Sequence, residues 1–115
     1  MSTPTQNPVS PRENLVVPRA LTRLKPERVQ EGLKKLPNWR TSRDGKSLVR
    51  TFKFATDRAP LAFAELVLAL TAKEGQQPSL TLSTNGTVEC KLTTKVAGGI
   101  TRRDLEMARR ISNLG

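Results

Sequence analysis

Residues 52–78 read FKFATDRAPLAFAELVLALTAKEGQQP, and the change of period inside them decides the fold. Phe52 and Phe54 flank Lys53 and continue the alternation of Leu48 and Arg50, as a strand with one buried face does. Leu61, Phe63, Leu66, Val67 and Leu70 then recur at helical spacing. Thr56 or Asp57 can cap that helix, Pro60 suits its first turn, and Gly75 stops it. So apolar a segment suits the central helix of a domain, packed on a sheet or against its copy in an oligomer.

The same signals extend outward in both directions. Upstream, residues 39–43, the turn dipeptide Asp44-Gly45 and the strand from Leu48 read as a hairpin, with Trp39 in the core. A helix precedes it, opening at Pro26 beside Glu27, carrying Val29, Leu33 and Leu36 on one side and ended by Pro37. Downstream, Leu80 and Leu82, the turn at Asn85-Gly86, and Val88, Cys90 and Leu92 make a second hairpin. The last helix starts at Thr101, with Asp104 in the capping-box position, and turns Leu105, Ala108 and Ile111 to the core. Helix, hairpin, helix, hairpin, helix is an α+β domain: a four-stranded antiparallel sheet covered by helices.

The chain has 115 residues, enough for one small domain, assigned to 24–115, behind a mobile proline-rich arm at 1–23 with Pro4, Pro8, Pro11 and Pro18. Its 20 basic and 10 acidic residues give a formal charge of +10, which calls for an acidic partner. The longest apolar run, from Leu66 to Leu70, is far below the roughly 20 residues of a membrane span. No charged-then-apolar leader opens the chain, so a cytoplasmic protein is expected. With one cysteine and no histidine, neither an internal disulfide nor a metal site is expected, and Cys90 reads as a buried, inert thiol.

Several pieces, in order and at fixed spacing, resemble the pterin-4a-carbinolamine dehydratase family. They are Leu36-Pro37-Asn38-Trp39-Arg40, Phe52-Lys53-Phe54, Phe63 and Val67, Pro78, and Gly98-Gly99-Ile100-Thr101 with Asp104 and Ala108. The stretch 52–78 aligns without a gap, and the resemblance runs from about Leu24 to Ile111. It implies an active site made of a carboxylate on the central helix, a His-His pair before the proline, an aromatic in the third strand and a later histidine. Carried over, the carboxylate falls on Ala72, the histidine pair on Gln76 and Gln77, the later histidine on Lys95, and the aromatic near Thr84 or Asn85. Carbinolamine dehydration needs a group that exchanges a proton near neutral pH, which a glutamine amide cannot do. Positions with a folding reason are retained and those with only a chemical reason are lost, so the expectation is a scaffold kept for binding, with no enzyme activity and no cofactor.

A degenerate, basic member of this family resembles the pterin dehydratase-like RuBisCO assembly factors found with α-carboxysomes in chemoautotrophic bacteria. That resemblance implies a non-catalytic chaperone for RuBisCO subunits, acidic clients that a basic protein meets quickly. The candidate contacts are Lys34 and Lys35 on the first helix, Lys95, and Arg102, Arg103, Arg109 and Arg110 on the last. A second possibility is nucleic-acid binding, with a phosphate site where Lys95, Arg102 and Arg103 converge at the turn before the last helix. The aromatic content of 3% leaves few platforms for base stacking. Residual dehydratase activity resting on Lys95 ranks last. The family also implies a homodimer in which edge strands join.

Overall fold

Alternation along the second hairpin builds the centre of the protein. Val88, Cys90 and Leu92, each wholly buried, stand on one face of a strand, with Glu89 and Lys91 between them. The computed structural model describes residues 21–55 and 58–114. Most of the arm expected over 1–23, and the caps expected at Thr56 or Asp57, lie outside them.

Three helices and four strands follow in the expected order. They are α1 (Pro26–Leu33), β1 (Arg40–Thr41), β2 (Leu48–Lys53), α2 (Ala59–Lys73), β3 (Ser79–Leu82), β4 (Thr87–Leu92) and α3 (Arg102–Ser112). The sheet is antiparallel throughout, in the order β1-β2-β4-β3, so each hairpin has an edge strand and the two inner strands pair, Leu48 with Leu92 and Phe52 with Val88. Among the described residues no helix is long and apolar enough to cross a membrane.

The helices cover one face of the sheet. From α2 come Pro60, Phe63, Ala64, Val67 and Thr71, the i, i+3, i+4 stripe of a helix lying on a core. From α3 come Met107, Ala108 and Ile111, and from α1 Val29. Each fully buried aliphatic among them contributes on the order of 1.5–3 kcal/mol. Phe63 bridges Phe52 and Phe54 at ring separations of 4.5 and 5.2 Å, and Trp39 meets Phe52 edge-on at 6.2 Å while its indole N–H donates to Ser112 Oγ at 2.9 Å. The chain has three phenylalanines, one tryptophan and no tyrosine, and all four rings belong to the core or pack against it.

Three local expectations are corrected. The first strand covers only Arg40–Thr41 rather than residues 39–43, because Trp39 turns inward and Ser42, Asp44 and Ser47 close their own loop through hydrogen bonds of 2.6–3.1 Å. Helix α1 ends at Leu33, not at Pro37: Lys34, Lys35 and Leu36 each bond three residues back, and Asn38 takes φ +73°. Pro37 disfavours the helical conformation for the residue before it, so the chain tightens early. At the start of α2 the cap position is Arg58, without a side-chain cap bond. Leu82 is 44% exposed, since the end of an edge strand has a neighbour on one side only.

Burial pushes the Cys90 thiol up to about 12, so no thiolate is available at ordinary pH. Iodoacetamide at pH 8 should leave the native protein unmodified by intact mass and alkylate it once in denaturant. Rapid labelling of the native state would mean that the sheet opens locally.

Candidate functional site

Three of the singled-out positions fall around the exit of α2. Ala72, Gln76 and Gln77 line a concave cleft of about 610 Å³ with Leu68, Thr71, Gly75 and Pro78. Gly75, at φ +67°, is the residue that lets the chain leave the helix in this direction. Ala72 and Gln77 are exposed, whereas Gln76 is buried at 4%. Lys95, exposed in a 3-10 turn (Lys95–Ala97) that precedes α3, lines no part of this cleft. Thr84 and Asn85 sit exposed in the turn between β3 and β4.

The burial of Gln76 has a specific cause. Its Nε2 donates to Asp104 Oδ1 at 2.7 Å, and the wholly buried Asp104 also receives Thr94 Oγ1 at 2.8 Å and the Thr101 N–H at 2.9 Å on Oδ2. Thr94 and Thr101, both buried, share a further hydroxyl contact of 2.8 Å. The capping box expected at Thr101 and Asp104 is therefore present, and it extends into a network that ties the end of β4 and the exit of α2 to the first turn of α3. A flipped amide would set Oε1 against a carboxyl oxygen, so the orientation of Gln76 is fixed. Its Oε1 is left buried without a hydrogen-bond partner among the described residues. Nothing in Gln76, Gln77 or Ala72 can give and take a proton near neutral pH.

The basic candidates separate into two groups. Arg109 bonds Glu106, its Nε at 3.1 Å, and this hydrogen bond holds the Glu106 carboxyl below its usual range; Arg110 reaches Glu74 at 3.3 Å and Glu106 at 3.8 Å. Both are thus partly neutralised by carboxyls of the same chain. Lys35 and Arg102, by contrast, line a groove of about 690 Å³ between α1 and α3 with Thr22, Leu24, Arg28, Glu31, Gly32 and Leu105. Lys34 and Lys35 are not on the first helix, as expected, but in the turn after it. Arg103 is half-buried, its Nε without a hydrogen-bond partner among the described residues. Neither Lys95 nor Arg103 lines this groove with Arg102.

Gly32 lets Leu105 lie close against α1: a Cβ there would stand 2.8 Å from Leu105 Cδ1, so a larger residue would make the leucine side chain shift. Sequence reading missed Arg28 as a partner of Lys35, although their spacing of seven was the available signal. A third surface is apolar. Leu61, Leu66 and Leu68 on the outer side of α2 are 59%, 52% and 49% exposed. Among the described residues no cluster of three or more histidine, cysteine or acidic side chains could hold a metal ion.

Comparison with known proteins agrees with the fold. Residues 22–114 match the family model described as pterin 4 alpha carbinolamine dehydratase. A protein of Thermomicrobium roseum named "Putative pterin-4-alpha-carbinolamine dehydratase" is 36% identical over 94 residues, covering 82% of this chain and 98% of its own. A protein of the same name from Thermosynechococcus vestitus is 36% identical over 92 residues, covering 80% of this chain and 94% of its own. Among solved structures, a transcriptional coactivator/pterin dehydratase from Brucella melitensis superposes with a TM-score of 0.75 at 24% identity, over 81% of this chain and 98% of that one, a likeness of fold.

Proposed function

Given that the chain belongs to the pterin 4 alpha carbinolamine dehydratase family, we propose that it is a non-catalytic member that acts as an assembly factor, a chaperone for RuBisCO subunits in bacteria with α-carboxysomes. The observation that carries the loss of chemistry is Gln76. At a position where the family resemblance implies a histidine, the chain holds a buried amide bonded to Asp104. Gln77, Ala72 and Lys95 stand at the other implied positions, which leaves an exposed lysine as the one ionisable group of the set.

The charge supports a macromolecular client of opposite sign. A formal +10 speeds encounter with an acidic protein and suits work in the cytosol beside carboxysome assembly. Nucleic acid is the less favoured client because all four aromatic rings are engaged in the core or against it, leaving no exposed platform for base stacking. A homodimer through the edge strand β3, which pairs on one side only, belongs to the same proposal.

The test is a tagged pull-down from source-cell lysate after nuclease treatment, with captured proteins identified by mass. RuBisCO subunits should dominate the catch, and their association should slow as ionic strength rises and the screening length falls below about 10 Å. A catch without RuBisCO that disappears with nuclease would overturn the client assignment. Association rates equal at low and high salt would remove the electrostatic part of it.

A further inference from the structure

We propose that the groove between α1 and α3 is the docking site for an acidic segment of a protein client, with carboxylates on Arg28, Lys35 and Arg102 and an aliphatic side chain on the floor formed by Leu24 and Leu105. This rests on the client-binding reading above and gives it a place on the surface. Of the basic side chains on α1, on α3 and in the turn after α1, Arg109 and Arg110 are paired with Glu106 and Glu74, while Arg28, Lys35 and Arg102 make no ion pair or side-chain hydrogen bond among the described residues. Three unpaired cations therefore face one concavity that holds a single acid, Glu31.

Solvation of an outer face does not account for this placement. Arg102 occupies the first turn of α3, where the helix dipole favours an acid, as Asp104 two residues later illustrates. A cation there opposes the helix and favours an arriving anion. The groove also has an apolar floor, Leu24 and Leu105, with the Leu105 side chain lying close over Gly32. Guanidinium groups pair with carboxylates through parallel hydrogen bonds, and two leucines accept an aliphatic side chain rather than a base. At about 690 Å³ the groove lies within the range of sites that enclose small ligands, about 300–1,000 Å³.

The full chain, labelled with nitrogen-15, can be titrated with a short synthetic peptide carrying glutamates on both sides of a central leucine. The amides of Leu24, Gly32 and Leu105 should shift and saturate together. Lys35→Ala/Arg102→Ala should weaken binding by about tenfold, Arg43→Ala/Lys91→Ala, with the same charge change at two exposed positions elsewhere, by less than about twofold. Replacing the peptide's leucine with glycine should also weaken it. Dispersed spectra will establish that each variant is folded; should the Arg102 variant unfold, Arg28→Ala/Lys35→Ala takes its place. Shifts centred elsewhere, equal losses in the two double variants, no binding, or a preference for a single-stranded oligonucleotide in the groove would each overturn the assignment. RuBisCO captured equally by wild type and Lys35→Ala/Arg102→Ala sinks the groove and leaves the client; groove binding without RuBisCO in the pull-down does the reverse.

Discussion

Replacing Asp104 with alanine is expected to remove about 3–4 kcal/mol of folding stability, measured by urea unfolding of the purified protein. The loss comes from the partners it leaves behind. Gln76 Nε2, the Thr94 hydroxyl and the Thr101 N–H all donate to this one carboxyl, and all belong to residues less than 5% exposed. Water cannot replace the lost acceptor without opening the junction between β4, α2 and α3, and each stranded buried donor costs about 1–3 kcal/mol. Of the capping box of α3, the Asp104 half is lost in the same step, while the Thr101 hydroxyl still faces the backbone N–H of residue 104. Asp104→Asn separates shape from chemistry. It preserves the volume but turns an amide N–H2 toward one of two sets of donors, so it should still cost about 2 kcal/mol. A loss below about 1 kcal/mol for the alanine variant would show that the network is not holding the three elements together.

That network also marks the boundary of what the sequence discloses. Val88, Cys90 and Leu92 announce a strand, and the stripe through Phe63 and Val67 announces a helix, because period alone sorts residues into faces. The Thr101–Asp104 cap is equally visible, being a contact between residues three apart. Gln76 and Asp104 are 28 residues apart, and no local pattern announces that they meet. In the sequence Gln76 is legible as a histidine lost; in the fold it is also a buried donor with its own structural task. The basic side chains show the same limit. Seven arginines and lysines stand out as a set, but only the crossing of α1 over α3 divides those paired with Glu74 and Glu106 from those that line the groove. The outward apolar side of α2, with Leu61, Leu66 and Leu68, was similarly undecided by a segment apolar all round.

Wild-type protein is expected to accelerate dehydration of a pterin carbinolamine no more than an equal concentration of an unrelated basic protein, whereas Ala72→Glu/Gln76→His/Gln77→His/Lys95→His should gain about a hundredfold or more, within the range that positioned acid–base groups supply. At three of the four positions the backbone is already in place. Ala72, Gln76 and Gln77 already line one cleft, and Ala72, Gln77 and Lys95 are exposed, so three of the four new side chains enter without displacing core atoms. The fourth replaces a buried amide with a ring that can still donate one N–H to Asp104 Oδ1. Gln76→His alone should therefore fold normally and remain inactive, since one imidazole without a second proton-handling group does not complete the reaction. Two outcomes bear on the reading directly. Wild-type turnover abolished by Lys95→Ala would make this chain an enzyme with a rebuilt site, against the chaperone proposal. A quadruple variant that folds and stays inactive would place the loss of chemistry elsewhere: in the position of residue 95 outside the cleft, or in the Thr84 and Asn85 turn, where the family resemblance implies an aromatic and this chain has none.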